Sequence, residues 1–439
     1  MNTIDCEVAI IGAGSGGIGA AVGAAERGAR TVVIDRAHLP GGVVAACWVH
    51  NWEPTCGNGP LTRRLWERMR AMPLGAVDLP FTVSRTFPDG NRQPTMPFEL
   101  WAYQRAVLAE FARFPHLNFL GGHTFITAVT DGRRIVSVTV AGEAGPVEIR
   151  AKVFLDATGT LQLARSCGCA TMLGTDSRHD FNEKVAPETA DRHNLNLVNW
   201  LYRVRPGGRP QVKAAPDSFP KNAWRSAIFS ATMPNGDLLV NICGLGHYSP
   251  EIPGDLERVT KEQYELAFNT YCWRVASGLN PDWELVGMAP ALGIRESYRL
   301  RARKVVTAND VFTFGDAYEK QWIGQTDHPL DVHGTDLEAR LGSIPFGIPY
   351  ASLLPVEFDN LLVASRGLGT THIAAGAARL SRTLMTCGQA AGRAAAISAQ
   401  SGRMLETIAA GEIAEFEPCP DFVRTNAARR LATLGATTI

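Results

Sequence analysis

Residues 6–35 constrain the fold of this 439-residue chain more than any other stretch. A short β-branched apolar run at 6–11 (CEVAII) leads into Gly12-Ala13-Gly14-Ser15-Gly16-Gly17. An apolar helical stretch to Arg27 follows, then a second β-branched run at 31–35 that closes on Asp35. The order reads as strand, glycine turn, helix, strand. Gly12 permits a tight turn, Gly14 lets the backbone approach a pyrophosphate, and Gly17 allows the helix to pack closely on the strand. Ser15 and Gly16 open a helix whose N-terminus offers N–H groups and the positive end of a dipole. Asp35 stands where a carboxylate accepts hydrogen bonds from adenosine ribose hydroxyls, and it would repel a 2′-phosphate. The expectation is a dinucleotide site, and both NAD and FAD satisfy this fingerprint.

Composition narrows the partner. Lys and Arg number 43 and so do Asp and Glu, so the chain has no general attraction for nucleic acid or an anionic membrane, and a small molecule is expected instead. The uncharged stretch at 8–25 approaches the length of a membrane span, but six of its 18 residues are glycine and acidic residues precede it. No membrane association is expected. The nine cysteines include no CxxC pair. Reduced thiols in a cytoplasmic setting are expected, without a metal site, an iron–sulfur cluster or a redox-active cysteine pair.

Along the chain, apolar residues at 100, 103, 107, 111 and 114 have helical spacing. Strand-like segments follow at 118–120, 124–130, 134–140 and 147–149, then a buried strand at 151–159 (AKVFLDATG) that ends in Thr158-Gly159. Residues 227–233 and 238–243 flank Asn235-Gly236, a hairpin signal. Residues 260–263 have capping-box form ahead of a helical pattern. Residues 51–97, rich in proline, read as loops.

With these residues in place the sequence resembles the FAD-dependent oxidoreductases of the two-dinucleotide-fold type, and within them a group related to the flavin subunit of heterodisulfide reductase. The resemblance rests on IIGAGSGGIGAA with Asp35, on Leu39-Pro40-Gly41-Gly42, on AKVFLDATG, on Gly293-Ile294-Arg295-Glu296-Ser297, and on the long stretch from Phe346 through THIAAGAARLSRTLMTCGQAAGRAAA. It implies an α/β, three-layer Rossmann-like FAD/NAD(P)-binding fold with an inserted α+β substrate domain. The expected boundaries are 1–165 and 346–405 for the two parts of the FAD-binding domain, with 51–97 as an excursion over the flavin, 166–345 for the substrate domain and 406–439 for a tail. It also implies FAD as cofactor. Gly12, Gly14, Ser15, Gly16 and Gly17 would lie at the pyrophosphate, Asp35 and Arg36 at the adenosine end, and Gly41 and Gly42 near the flavin. The Ile126 backbone would meet the adenine, and Thr158 and Gly159 would line the same cofactor. Many relatives carry Gly-Asp at the second cofactor element; Ser365-Arg366 stands there in this chain, which places Arg366 among the cofactor residues.

Flavin chemistry asks the protein only to orient a substrate, move a proton and stabilise charge. His372, at the start of the expected flavin-proximal helix, is the candidate acid or base. Arg379 falls on the same helix face, to clamp an anionic group or pair with a carboxylate. Arg295 sits in a cluster with Glu296 and Arg299 that orients substrate or joins two domains. Cys47 reads as a buried free thiol, with Trp48 and Trp52 as apolar walls. The expected function is hydride transfer between an organic small molecule and flavin N5. The alternatives are an electron-transfer subunit docking on a redox partner and an NAD-linked dehydrogenase. Substrate, direction and electron acceptor are not written in the sequence.

Overall fold

In the computed structural model, which describes residues 2–82, 84, 94–210, 212, 228–243, 246–312 and 319–434, the apolar stretch at 8–25 divides at its glycines. Val8–Ile11 is a buried strand, Ser15–Glu26 a helix and Thr31–Asp35 the next strand. Among the described residues no helix is long and apolar enough to cross a membrane. The central sheet has five parallel strands in the order Leu361–Val363, Val153–Asp156, Val8–Ile11, Thr31–Asp35 and Leu117–Gly121. Its inner strands are covered on both faces, which is why they read as unbroken apolar runs rather than alternating ones.

Alternation survives in where the side chains go. Val8, Ile10, Val33, Val153, Leu155 and Leu362 enter one core with the helices. Ala9, Ile11, Val32, Ile34, Phe154, Leu361 and Val363 enter a second with Ile135, Val138, Val140 and Ile149. Those last four belong to another sheet, ordered Asn2–Asp5, Gly145–Arg150, Arg134–Gly142, Thr124–Asp131. Helices, parallel sheet and second sheet form the three layers expected. The strand Asn2–Asp5 was not expected: it is mostly exposed and gains its structure by pairing with Gly145–Arg150.

On the helical side, Ser15–Glu26 lies against Ser381–Ser401 with backbones in contact. A Cβ added at Gly19 or Gly23 would run into the backbone of Met385 or Gln389, and one at Gly388 or Gly392 into that of Gly16 or Ala20. The small residues of both helices therefore serve close packing.

A four-stranded antiparallel sheet, ordered Ile228–Thr232, Leu238–Cys243, Asn199–Arg205, Glu284–Met288, carries the helix Asp255–Ala276. It has its own core around Tyr202, Val240, Val259, Tyr271 and Trp283. The hairpin turns at Asn235-Gly236, Gly236 with φ +87°; Ala227, read as its first residue, lies outside the described residues. The helix begins at Asp255 rather than at Thr260. Gly254 caps it and the Asp255 carboxylate accepts the Ser249 N–H at 2.8 Å, so Gln263 is an interior, buried position.

By contrast, Val306, Val311, Ile323, Leu330, Leu341 and Ile344 share the core of the glycine-rich helix. Within residues 51–97, Pro60–Arg70 is a helix with Pro at its first position, burying Leu61, Leu65, Trp66 and Met69. Past residue 405 the chain is also fastened: Arg393 donates to Ile413 O at 3.2 Å and the Cys419 N–H to Gln325 Oε1 at 2.9 Å.

Candidate functional site

The glycine turn sits at the C-terminal ends of the parallel strands, the usual ligand crevice of such sheets. Gly12, at φ +106°, donates its N–H to Ile34 O at 2.7 Å, and a Cβ there would meet Ala157 O at 2.7 Å. Asp35 accepts the N–H of Ala13 at 2.6 Å on Oδ2 and of Ala37 at 2.8 Å on Oδ1, so it holds the turn. The Gly41 N–H donates to Ala13 O at 2.9 Å, and a Cβ on Gly42 would come within 2.7 Å of Gly14 Cα. The two glycine turns touch.

Gly14 differs from its neighbours. A Cβ on Gly16 would strike the Ala364 carbonyl and one on Gly17 the Gly12 carbonyl, whereas one on Gly14 meets nothing nearer than Gly42 Cα at 3.9 Å. Gly16 and Gly17 are small because protein packs against them; Gly14 is small beside open space. No side chain caps the helix that follows, and Ser15 Oγ is buried without a hydrogen-bond partner among the described residues. An anion is the natural occupant of such a helix start.

Thr158 and Gly159 follow the strand Val153–Asp156 beside Gly12, whereas Ile126 lies in the second sheet. Thr158 is engaged structurally: its N–H and hydroxyl donate to Asp156 Oδ1 at 2.9 and 2.7 Å, and its Oγ1 accepts the Gln162 N–H at 2.8 Å. Burial raises the pKa of Asp156, against the hydrogen bonds from Ala164 and Thr158. Gly159 faces the Arg366 guanidinium, whose Nη2 would lie 2.9 Å from a Cβ there. Arg366 forms no ion pair or hydrogen bond with a described residue, and its Nε is buried. Burial lowers its pKa, opposed by Cys47. Ile126 stands at a register shift in its strand and is 57% exposed, which frees its backbone from the ladder. Arg36 is exposed at the strand end.

His372 opens the helix His372–Ala378 behind Thr371, whose hydroxyl accepts the Ala374 N–H at 3.3 Å and donates to Glu183 at 2.7 Å. The His372 backbone N–H donates to Asp176 Oδ2 at 2.7 Å, and its Nδ1 lies 3.0 and 2.9 Å from the two Glu296 oxygens. Arg299 binds Glu296, Asp176 at 3.0 Å, Thr370 O at 3.0 Å and Gly174 O at 2.8 Å. All four side chains are buried. Burial alone would raise the Glu296 pKa, but His372 and Arg299 together hold it below the usual carboxylate range. With Nδ1–H given to Glu296, Nε2 is the imidazole's free acceptor.

Arg379 ends the same helix in an ion pair with Asp331. Burial opposes ionisation of Asp331, yet Arg379, His333 and Arg295 lower its pKa. His333 is pushed down to about 4, by burial first and Arg295 second, and is neutral at neutral pH. Arg295 donates to Leu197 O at 2.7 Å. The cluster at 295–299 thus divides: Glu296 and Arg299 join the buried His372 network, while Arg295 turns toward Asp331 and His333. Asp176, Glu183, Asp331 and His333 escaped the sequence reading because they lie in irregular segments with no local motif.

Cys47 is buried, its thiol 3.3 Å from Leu292 O, and burial pushes it up to about 11. Iodoacetamide at about pH 8 should label it at least ~10²-fold more slowly in the folded protein than after unfolding, which peptide mapping checks. His50 has Nδ1 2.6 Å from Phe98 O, and burial lowers its pKa. The Trp48 ring lies against Gly287 of the four-stranded antiparallel sheet. Trp52 is enclosed by Trp66, Phe98 and Tyr103, which makes it a core residue.

The residues fit a flavin dinucleotide: open space at Gly14, an uncapped helix start, and a Ser15 hydroxyl and an Arg366 guanidinium without partners among the described residues. No curated protein matches the sequence significantly. The fold is similar to that of a geranylgeranyl bacteriochlorophyll reductase-like protein from Thermoplasma acidophilum, with 12% identity and a TM-score of 0.50 over 98% of this chain and 83% of that one. An anhydrotetracycline hydroxylase from Streptomyces rimosus aligns over 98% of this chain and 66% of its own, at 13% identity and a TM-score of 0.45. At these identities the likeness concerns fold alone. A family model described as FAD dependent oxidoreductase matches residues 7–417, from the first strand of the central sheet to beyond the helix Ser381–Ser401. The chain therefore belongs to the FAD-dependent oxidoreductase family, and its cofactor is FAD.

Proposed function

We propose that this oxidoreductase transfers a hydride between an organic acid and flavin N5, with His372 as the acid or base that handles the accompanying proton. The bound flavin supplies a two-electron acceptor or donor. Gly14, Ser15 and the helix start at 15–17 bind the pyrophosphate, Asp35 the ribose, the Ile126 backbone the adenine, and Arg366 the phosphate or ribityl side of the crevice. Glu296 fixes the His372 ring by accepting Nδ1–H, so that Nε2 exchanges the proton, and Arg299 fixes Glu296. The observation that carries the reading is this carboxylate–histidine pair at the start of the helix that follows Ser365-Arg366. Arg366 and Arg379 lie within electrostatic reach of one another, and Arg379 shares Asp331 with Arg295, a clustering of guanidinium groups that favours a substrate carboxylate.

His372→Ala should slow substrate-dependent flavin reduction by about 10²-fold or more with FAD still bound, and should remove the basic or acidic limb of the pH–rate profile. Anaerobic bleaching with a panel of organic acids and their amides identifies the substrate class first; stopped-flow reduction of the variant follows. Unchanged chemistry in a less stable His372→Ala protein would assign the imidazole a structural role only.

A further inference from the structure

We propose that Cys56, Asp327 and Cys419 form a buried site for one divalent cation of the zinc class, which fastens the C-terminal segment to the body of the protein. Their ligand atoms lie within 4.8 Å of one another and all three residues are buried. Positions 56, 327 and 419 are far apart in the sequence, so no compact spacing announces the site; folding alone assembles it. Around a bound zinc, thiolate and carboxylate ligands at about 2.3 and 2.0 Å stand roughly 3.5–4 Å apart, a small contraction from what the fold already provides.

The ligands are held by their surroundings. Asp327 accepts the Cys56 N–H on Oδ1 at 2.9 Å and the Ser84 hydroxyl on Oδ2 at 3.1 Å, which fixes its carboxylate beside the thiols. The Cys419 N–H is fixed on Gln325 Oε1 at 2.9 Å. Such outer contacts orient metal ligands. Neither cysteine is in a disulfide.

Charge makes the case stronger. Arg382 is fully buried and hydrogen-bonds uncharged acceptors, Asn58 Oδ1 at 2.9 Å and Thr82 O at 2.7 Å; its foremost opposing charge is Asp327. Loading exchanges two thiol protons for one cation: two Cys–SH and M²⁺ give M(S–Cys)₂ and two H⁺, with no change of oxidation state. The buried charge is the same before and after, so the low-dielectric interior does not oppose the exchange. Two thiolates with one carboxylate select zinc over magnesium or calcium. Water would complete four-coordination. The cation would lie beside Val423 and Phe422, the small apolar contact through which the helix Asp421–Leu434 meets Cys56.

The test uses full-length, FAD-loaded protein expressed with zinc and purified without a chelating column. Elemental mass spectrometry should find about one zinc per chain. Cys56→Ser and Cys419→Ser should each fall below about a tenth of an equivalent while keeping their flavin. Chelator-stripped wild-type protein titrated with zinc against a chromophoric competitor should regain one equivalent, which keeps the test independent of how the variants fold. A wild-type protein without zinc that regains none, variants that retain a full equivalent, or a Cys56–Cys419 disulfide in peptide maps would each overturn the proposal.

Discussion

Gly14→Val should give a folded protein that has lost its FAD. The backbone there is extended, with φ −74° and ψ −174°, a conformation valine prefers. Beyond its chain neighbours the added Cβ meets no described atom closer than Gly42 Cα at 3.9 Å, so apoprotein packing should change little. The branched side chain instead fills the space the pyrophosphate needs, and FAD affinity should fall by at least about 10²-fold, about 2.7 kcal/mol. Flavin absorbance per chain after purification and thermal melts against stripped wild-type protein check both halves. Gly16→Val is the contrasting variant: its Cβ would strike the Ala364 carbonyl, so it should lose the fold along with the flavin. A Gly14→Val protein that keeps its flavin would contradict the pyrophosphate assignment.

Arg299→Leu should be the most damaging substitution in the His372 network. It leaves Glu296 and Asp176 buried without their guanidinium, and breaking such a group by removing one partner costs about 3–5 kcal/mol. The effect has a pH signature. The folded protein holds the Glu296 pKa below its ordinary value, so this carboxylate contributes stability above the unfolded pKa and loses that contribution as pH falls through the folded one. In the variant the same carboxyl is desolvated with less compensation and its pKa rises, so protonation relieves the strain. The stability gap between wild type and variant should be widest at about pH 8 and narrow below about pH 5. Denaturant melts at several pH values measure it; a gap independent of pH would mean that lost packing, not charge, carries the cost.

What could be read in advance followed from residues that each have a local task. Gly12, Gly17 and Asp35 announce the first turn because one residue type answers each requirement, and Asn235-Gly236 announces its hairpin for the same reason. The His372 helix was legible through its small residues. The carboxylate behind it was not assigned, because Glu296 reaches His372 across 76 residues of sequence. Asp331 and His333 likewise acquire meaning only when Arg379 and Arg295 are brought to them. The helix Pro60–Arg70 was hidden among prolines, one of which is its own first residue. The helix Asp255–Ala276 begins a turn and a half before the sequence pattern suggested: Gly254 is its N-cap, and the Asp255 carboxylate ties its first turn to the Ser249 N–H. Local rules find turns and faces; they do not find partners that only tertiary structure introduces.

The backbone contact between Ser15–Glu26 and Ser381–Ser401 also imposes an order on biosynthesis. The first helix leaves the ribosome with an apolar, glycine-studded face whose cover is encoded more than three hundred residues later, beside the edge strand Leu361–Val363. At roughly 5–20 residues per second the nascent chain waits on the order of tens of seconds before that cover exists. The parallel sheet therefore closes last among its own parts, a high-contact-order step that folds slowly and exposes an unpaired strand edge meanwhile. Chains ending before about residue 400 would lack the lid of their own cofactor fold. Dependence on chaperones and aggregation of such truncated chains are the expected cellular cost of building one nucleotide-binding unit from segments more than three hundred residues apart.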